Sequence, residues 1–540
     1  MFSLLKKYPI PFICLGIALV LLPNLHIMDV TIMEARNFVT AREMLTDNNW
    51  LLTTMNGEAR YEKPPLPTWL TAISAAIFGV NSAFAMRLPA VIFIMIIAVY
   101  VFKLSKKITD SQSFGMLAAI SVTTSFYVIG IIIEAPWDIF THGFMCVAIY
   151  YLFCFFEAEK TPWKSALLAG VFIGFSILSK GPVSFYALLL PFLLAYGFTF
   201  KYRSFINKLV PSLIILILAL AVGGWWYLYV RLEDPTTFLA IAEKETGNWS
   251  SYNVRPFYYY WSFFTQSGLW TIPAFISLLY PYLKIRVRNL KAYQFSLLWT
   301  ILAVILLSLI PEKKSRYLMP VLIPLAINFS FYLDYLIREF KKLTNKRETI
   351  PVYFNFGLIG LIGIAFPMVA YVFLRENLEG YWIYYILASV FIFALGILIF
   401  RFLFQKDMKF VIISTMGLYA MLLLTALPLK EALNSKTFHP IETGFTGDLK
   451  LYQFNYIAPE MIWEYGDKIP QIKNEDGSIR FPEESNFGLL AVGISAEDSA
   501  IIQNTYTVEK VNTFNLNTVS EGSNQYKDRL IATYYKLTKK

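Results

Sequence analysis

NGEARYEKPPLPTWL, residues 56–70, breaks an oily sequence with Glu58, Arg60, Glu62 and Lys63, followed by Pro64, Pro65 and Pro67. Charge at the bilayer centre is expensive, so the stretch reads as a loop outside the membrane. Proline fixes φ and biases the residue before it towards an extended backbone. Lys63 directly precedes Pro64, which makes this a stiffened corner with a cation that can be aimed.

Working outward, the rest of the chain is membrane-like. Of 540 residues, 56% are hydrophobic and only 16% charged, with a mean hydropathy of +0.52; soluble domains run nearer a quarter charged. Apolar runs of about twenty residues, the length that spans a hydrocarbon core, recur from Pro9 to Leu429. The fold class is therefore an all-α polytopic membrane protein. The expected spans, about thirteen, are 9–28, 84–102, 113–133, 137–156, 164–179, 181–200, 208–230, 262–283, 291–310, 317–337, 352–374, 381–404 and 409–429. The first follows Lys6 and Lys7 but no small-residue cleavage site, so it reads as a span and not as a signal peptide.

With the N-terminus in the cytoplasm, every loop expected inside is basic: Lys103, Lys106 and Lys107; Lys160 and Lys164; Lys201, Arg203 and Lys208; Lys284, Arg286, Arg288 and Lys291; Arg338 to Arg347; Arg401, Lys406 and Lys409. The positive-inside rule thus accounts for the net charge of +10 without a nucleic-acid partner. Residues 1–429 form the membrane domain on this reading. Residues 430–540 turn polar and read as a small extracytoplasmic α/β domain, with strand alternation at 449–457 and 530–538 and a turn at 474–478. Two long outer loops result, 29–82 and 231–261. In the first, 33–45 has Phe38, Ala41 and Leu45 on one helical face, and 66–80 is apolar but short. Both read as helices along the membrane surface.

Cys14, Cys146 and Cys154 lie in apolar runs and suggest no disulfide framework. His26, His142 and His439 are scattered, so no metal site and no cofactor is expected. The spans carry almost no ionisable residue near their centres, which argues against an ion-coupled transporter.

Charge gathers on the outer face instead: Glu34, Arg36, Arg42, Arg60, Glu62 and Lys63 in the first loop, Glu134 and Asp138 in the next turn, Lys180, and then Glu312, Lys313, Lys314 and Arg316. Cations there run against the positive-inside bias, and phosphate is the natural partner for them at a lipid interface. Carboxylates beside them suit acid–base chemistry. Each group also has a plain structural reading. Arg42 and Glu43 can be the solvated face of a surface helix, and Glu58, Arg60 and Glu62 ordinary hairpin charges. Asp138 can cap the helix after Pro136, and Lys180 can sit at a helix C-terminus with Gly181 as its cap. The run 311–320 can be a headgroup anchor.

The run MEARNFVTAREMLTDNNWLLTTMNGEARYEKPPLPTWLTAISAAIFGVNSAFAMRLPA (33–90) resembles the start of the bacterial aminoarabinose transferases of lipid A, relatives of the protein O-mannosyltransferases. The likeness continues in ILSKGP (177–182) and more loosely in KKSRYLMPVLIP (313–324). It implies a GT-C glycosyltransferase that takes a sugar from a polyprenyl-phosphate carrier at the outer face of the inner membrane. It passes that sugar, with inversion, to lipid A, a protein or another envelope glycan. The resemblance further implies a monomer, with a catalytic carboxylate in the first loop and a second at the next outer turn. By position these are Glu34, with Met33 standing where the family has aspartate, and Glu134; Asp29 is another acid that could approach the first spot. Lys63, Lys180 and one or more of Lys313, Lys314 and Arg316 would bind the donor phosphate, beside Arg36, Arg60, Glu62 and Asp138. No catalytic metal is implied, since the cations can neutralise the leaving group.

Overall fold

The computed structural model describes residues 7–540 except 135, 160, 203–205, 443 and 475, and leaves out the side chains of 127, 131, 133, 134, 136, 206, 249 and 250. Lys160 and Arg203, expected in cytoplasmic loops, lie outside the described residues.

Nine helices among the described residues are long and apolar enough to cross a bilayer: 83–109, 137–157, 163–180, 209–233, 290–309, 315–342, 346–374, 382–404 and 408–433. They fall on nine of the expected spans. The other four expected spans are shorter or broken helices. Pro9–Leu21 holds thirteen residues. The 113–133 run divides at Thr124 and Ser125 into Gln112–Thr123 and Phe126–Glu134. The 181–200 run begins beyond Pro182 with a π turn at Phe185–Leu189, then continues as Leu190–Thr199. The 262–283 run breaks at Gly268, whose φ of 63° no helix accommodates, and again between Ser277 and Tyr280. Hydropathy measured the apolar length of these segments correctly but could not see the kinks.

The 315–342 helix is the central one, 89% buried along its apolar window, whereas 346–374 at 22% is peripheral. Small residues let neighbouring helices approach closely. A Cβ on Gly174 would lie 2.6 Å from Val222, and one on Gly223 would lie 2.5 Å from Ile177. This contact locks Trp163–Lys180 against Leu209–Glu233 and so fixes where Lys180 emerges.

The first outer loop forms the helix Ile32–Thr46, a hairpin of Thr54–Met55 with Glu58–Ala59, and the helix Leu66–Phe78. The first helix differs from a surface helix. Glu34, Asn37, Phe38, Thr40, Arg42 and Glu43 are all buried, together with Ala35, Val39, Ala41 and Met44. The reason is a second cover: Phe38 packs edge-on against Trp463, at 5.2 Å between centroids, from the C-terminal part of the chain. Arg42 and Glu43 are thus not a solvated face.

That C-terminal part is α/β, with a four-stranded sheet in the order 451–453, 486–491, 531–539, 506–515. The first pair is parallel and the others antiparallel. Helices Pro459–Tyr465 and Ala496–Thr505 accompany it. The expected turn closes with Asn474 N–H on the Ser478 carbonyl. The 231–261 loop is largely the helix Pro235–Ser251.

Candidate active site

Four separate stretches bring the cations of the outer face together. The hairpin ends at Arg60, whose N–H bonds the Thr53 carbonyl at 2.8 Å. The Arg60 guanidinium then turns inward, donates to the Arg36 carbonyl and the Thr40 hydroxyl, and lies 5.0 Å above the Trp137 ring. Burial pushes its pKa down to about 10, which still leaves it charged. Thr40, Thr53, Arg60, Lys63, Thr68 and Trp137 line one small cleft.

Beside Trp137, Asp138 forms an ion pair with Lys180 in which both side chains are nearly sealed, 2% and 10% exposed. Lys180 ends its helix just before Gly181, which adopts φ 69°. Its ammonium lies 5.1 Å above the Tyr317 ring, and Lys63 and Arg316 both act on it electrostatically. Arg316 acts on Asp138 as well. Lys180, paired with Asp138, and Arg316 thus both lie over the Tyr317 ring, at 5.1 and 5.8 Å, while Lys63 lines the neighbouring cleft with Trp137. An excess of positive charge at a partly desolvated site is what an anion requires.

Among the described residues, several polar atoms here are buried without a hydrogen-bond partner: Asp138 Oδ2, Trp137 Nε1, Arg316 Nε and, one turn further along the helix, His142 Nδ1. Buried polar groups are normally satisfied, and four orphans in one locality mark a place built for something polar. Lys63 meets the carboxylate of Glu245, at 2.8 Å, from the Pro235–Ser251 helix.

The other expected residues are placed differently. Glu34 is fully buried. Its carboxylate accepts from Arg87 Nε at 2.6 Å and from the second guanidinium nitrogen at 3.0 Å, and it also closes a capping box with Thr31. Burial pushes its pKa up despite Arg87. In this geometry Glu34 is held by Arg87 and anchors the start of its helix. Arg87 also holds the Leu25, Met28 and Asp29 carbonyls. Asp29 pairs with Lys430 and does not stand in for the missing aspartate. The Lys313 ammonium donates to the Arg255 and Ile310 carbonyls, which takes two of its three N–H donors. Lys314 pairs with Glu312 at 2.6 Å and lies over Tyr252. Glu62 is exposed, 3.8 Å from Arg60 Nε. Arg36 is half-buried near Arg60 and acts on it electrostatically. The Glu134 side chain lies outside the described residues.

Sequence reasoning missed Trp137, Tyr317, Arg87 and Glu245. A signal existed for Arg87, because an arginine just inside an apolar span needs a buried anion. For Glu245, 182 positions from Lys63, there was none. The aromatic stretch after it pairs by an antiparallel bridge, Val254 with Glu312, and leaves Tyr252, Tyr258 and Trp261 exposed, as an interfacial ledge would.

These features define a multi-pass helical membrane protein with an outer-loop cation cluster and a small appended α/β domain. The comparisons agree and are more particular. Residues 62–226 match the family profile of dolichyl-phosphate-mannose-protein mannosyltransferases. An undecaprenyl phosphate-alpha-4-amino-4-deoxy-L-arabinose arabinosyl transferase of Proteus mirabilis is 24% identical over 351 residues, 62% of this chain and 59% of that protein. An uncharacterised protein of Aquifex aeolicus is 26% identical over 318 residues, 57% of this chain and 59% of its own. The match thus spans 59% of the length of each of these relatives. The crystal structure of ArnT from Cupriavidus metallidurans bound to undecaprenyl phosphate superposes with a TM-score of 0.67 over 98% of both chains at 13% identity. The chain has the ArnT-like GT-C fold.

Proposed function

We propose that this protein is a membrane glycosyltransferase that uses a polyprenyl-phosphate-linked sugar as donor. It works at the outer face of the inner membrane, with its C-terminal domain extracytoplasmic, and passes the sugar to lipid A. The observation that carries the reading is the nearly sealed Lys180–Asp138 pair with Arg316 beside it over the Tyr317 ring and Lys63 in the adjoining cleft with Trp137. It is supported by the relatives named for undecaprenyl-phosphate-linked aminoarabinose.

In the reaction the acceptor oxygen attacks the anomeric carbon, the bond from that carbon to the carrier phosphate oxygen breaks, and the phosphate leaves with the electron pair. Negative charge grows on the departing phosphate. Lys63, Lys180 and Arg316 neutralise it, and cations fixed in a dry site do so without reorganising. No divalent metal is needed for that task. Asp138 holds Lys180 in place with one oxygen and keeps the other free to orient the acceptor or take its proton. A phosphate acceptor is already an anion and needs no strong base, which fits a chain with methionine at position 33. Glu134, four positions before Asp138 in the sequence, is the second carboxylate proposed here. Lys314 and Arg36 extend the positive rim, and the protein works as a monomer.

The test is mass spectrometry of lipid A and of envelope proteins from cells with and without the gene. An added sugar on lipid A that vanishes on deletion supports the reading. Loss confined to protein-linked sugar would replace the acceptor, and unchanged glycosylation of both would overturn the proposal.

A further inference from the structure

The hairpin that carries Arg60 and leads to Lys63 is too small to hold itself. It pairs Thr54 with Ala59 and Met55 with Glu58 and is closed by the Arg60 N–H on the Thr53 carbonyl, and an isolated two-stranded hairpin is marginal in water. Its turn, Asn56-Gly57, adopts φ 57° and 83°, the left-handed geometry of a two-residue hairpin.

Two external clamps hold it. Glu43, 1% exposed, lies under the turn, and its carboxylate accepts the Thr54 hydroxyl at 2.6 Å, the Asn56 N–H at 2.5 Å and the Gly57 N–H at 3.2 Å. From the C-terminal domain, Ile469 exchanges two hydrogen bonds with the Asn56 side chain: its N–H donates to Oδ1 at 2.7 Å, and its carbonyl accepts from Nδ2 at 2.9 Å. Nearby, Arg42 donates to the Ile462 carbonyl at 2.9 Å and to the Trp463 carbonyl at 3.3 Å, and Asp47 pairs with Lys468 at 2.8 Å. The Arg42 and Asp47 contacts dock the domain without touching the hairpin. The Glu43 and Asn56 contacts do touch it.

We infer that Glu43 and Asn56 are positioning residues for the proposed transfer, and that the C-terminal domain takes part in the site by holding the hairpin through Ile469. The inference rests on the functional reading above. Three residues separate Gly57, at the clamped turn, from Tyr61, and Lys63 follows after Glu62, just before the rigid Pro64-Pro65. Arg60 keeps its own ties to the Arg36 carbonyl and the Thr40 hydroxyl, so a turn left loose would chiefly let Lys63 drift from its place beside Trp137.

The experiment uses full-length protein in lipid nanodiscs, with undecaprenyl phosphate alone as binding probe, sugar transfer as the second readout and thermal melting as the third. Asn56→Gly keeps the left-handed turn open to the backbone and deletes both bonds to Ile469. Glu43→Gln keeps the size but places an amide where two N–H donors point. Both variants are expected to bind undecaprenyl phosphate more weakly and to lose kcat/KM by roughly tenfold or more, the scale on which a misplaced group acts. Asp47→Ala, which removes only a docking pair, should leave binding and kcat/KM at the wild-type values. If wild type binds and transfers while Asn56→Gly and Glu43→Gln match it in both, the inference is overturned, whatever the melting curves show. Should Glu43→Gln fail to fold, Asn56→Gly decides alone. If wild type itself neither binds nor transfers, the functional reading has failed first.

Discussion

Lys63 is occupied by Glu245, and a donor phosphate must displace that carboxylate. The pair is partly solvated, with the lysine side chain 29% and the glutamate 40% exposed. Ion pairs of that kind contribute roughly 0.2–1 kcal/mol. Glu245→Gln should free Lys63 and tighten binding of undecaprenyl phosphate by no more than about fivefold, since 1.36 kcal/mol is a factor of ten. Lys63→Ala removes a hydrogen bond to a charged group, about 1.5–3 kcal/mol, so binding should weaken by roughly ten- to 150-fold. The asymmetry is the diagnostic: the glutamate variant gains a little and the lysine variant loses much. Salt separates them further, because raising ionic strength screens an exposed pair and should shrink the advantage of Glu245→Gln. The assay is titration of the purified variants with undecaprenyl phosphate in nanodiscs at two salt concentrations. Weaker binding by Glu245→Gln would refute the reasoning, because Glu245 would then be part of the binding site and not a competitor for it.

Other consequences follow from the same contacts. Glu34→Ala leaves the Arg87 guanidinium buried without its carboxylate and should cost about 3–5 kcal/mol. Glu34→Met with Arg87→Met should cost much less; thermal melting of the three proteins checks this. Asp138→Asn should cut transfer at least tenfold and, because it leaves the nearly sealed Lys180 ammonium without its anion, should also lower the melting midpoint; rates at saturating donor, measured well below that midpoint, test it. Burial pushes the Glu43 carboxyl up, so activity should fall on acidification above the ordinary carboxylate range near 4.5, and that limb should move in Glu43→Gln. The sign for stability is the opposite. A raised folded-state pKa means the stability Glu43 contributes is full below about 4.5 and is lost as pH rises through its folded value. Melting should therefore hold or rise while activity falls. Gly174→Val should displace the Lys180 helix, because a Cβ there already lies 2.6 Å from Val222; lost activity with retained helix content by circular dichroism is the expected result.

The membrane architecture was legible because bilayer thickness imposes a length that hydropathy reads directly, and nine expected spans fall on helices. The charged corner was legible because prolines and lysines in an oily chain are conspicuous. What stayed hidden depended on distance along the chain. Glu34 has the family position but meets Arg87, fifty-three residues away. Lys313 and Lys314 look alike in sequence, yet one donates to backbone carbonyls and the other pairs with Glu312. The burial of the Ile32–Thr46 helix needed the C-terminal domain above it, and no periodicity within fifteen residues reports a cover 420 residues away.

The central claim is that the Lys63, Lys180 and Arg316 cluster takes the phosphate of a lipid-linked sugar. The most direct measurement supplies purified protein in nanodiscs with undecaprenyl-phosphate-linked aminoarabinose and lipid A, and counts undecaprenyl phosphate released and sugar gained by lipid A. The account predicts equal amounts of both in wild type and neither in Lys180→Met or Arg316→Met proteins that melt normally. Wild-type turnover retained in those two variants would contradict it.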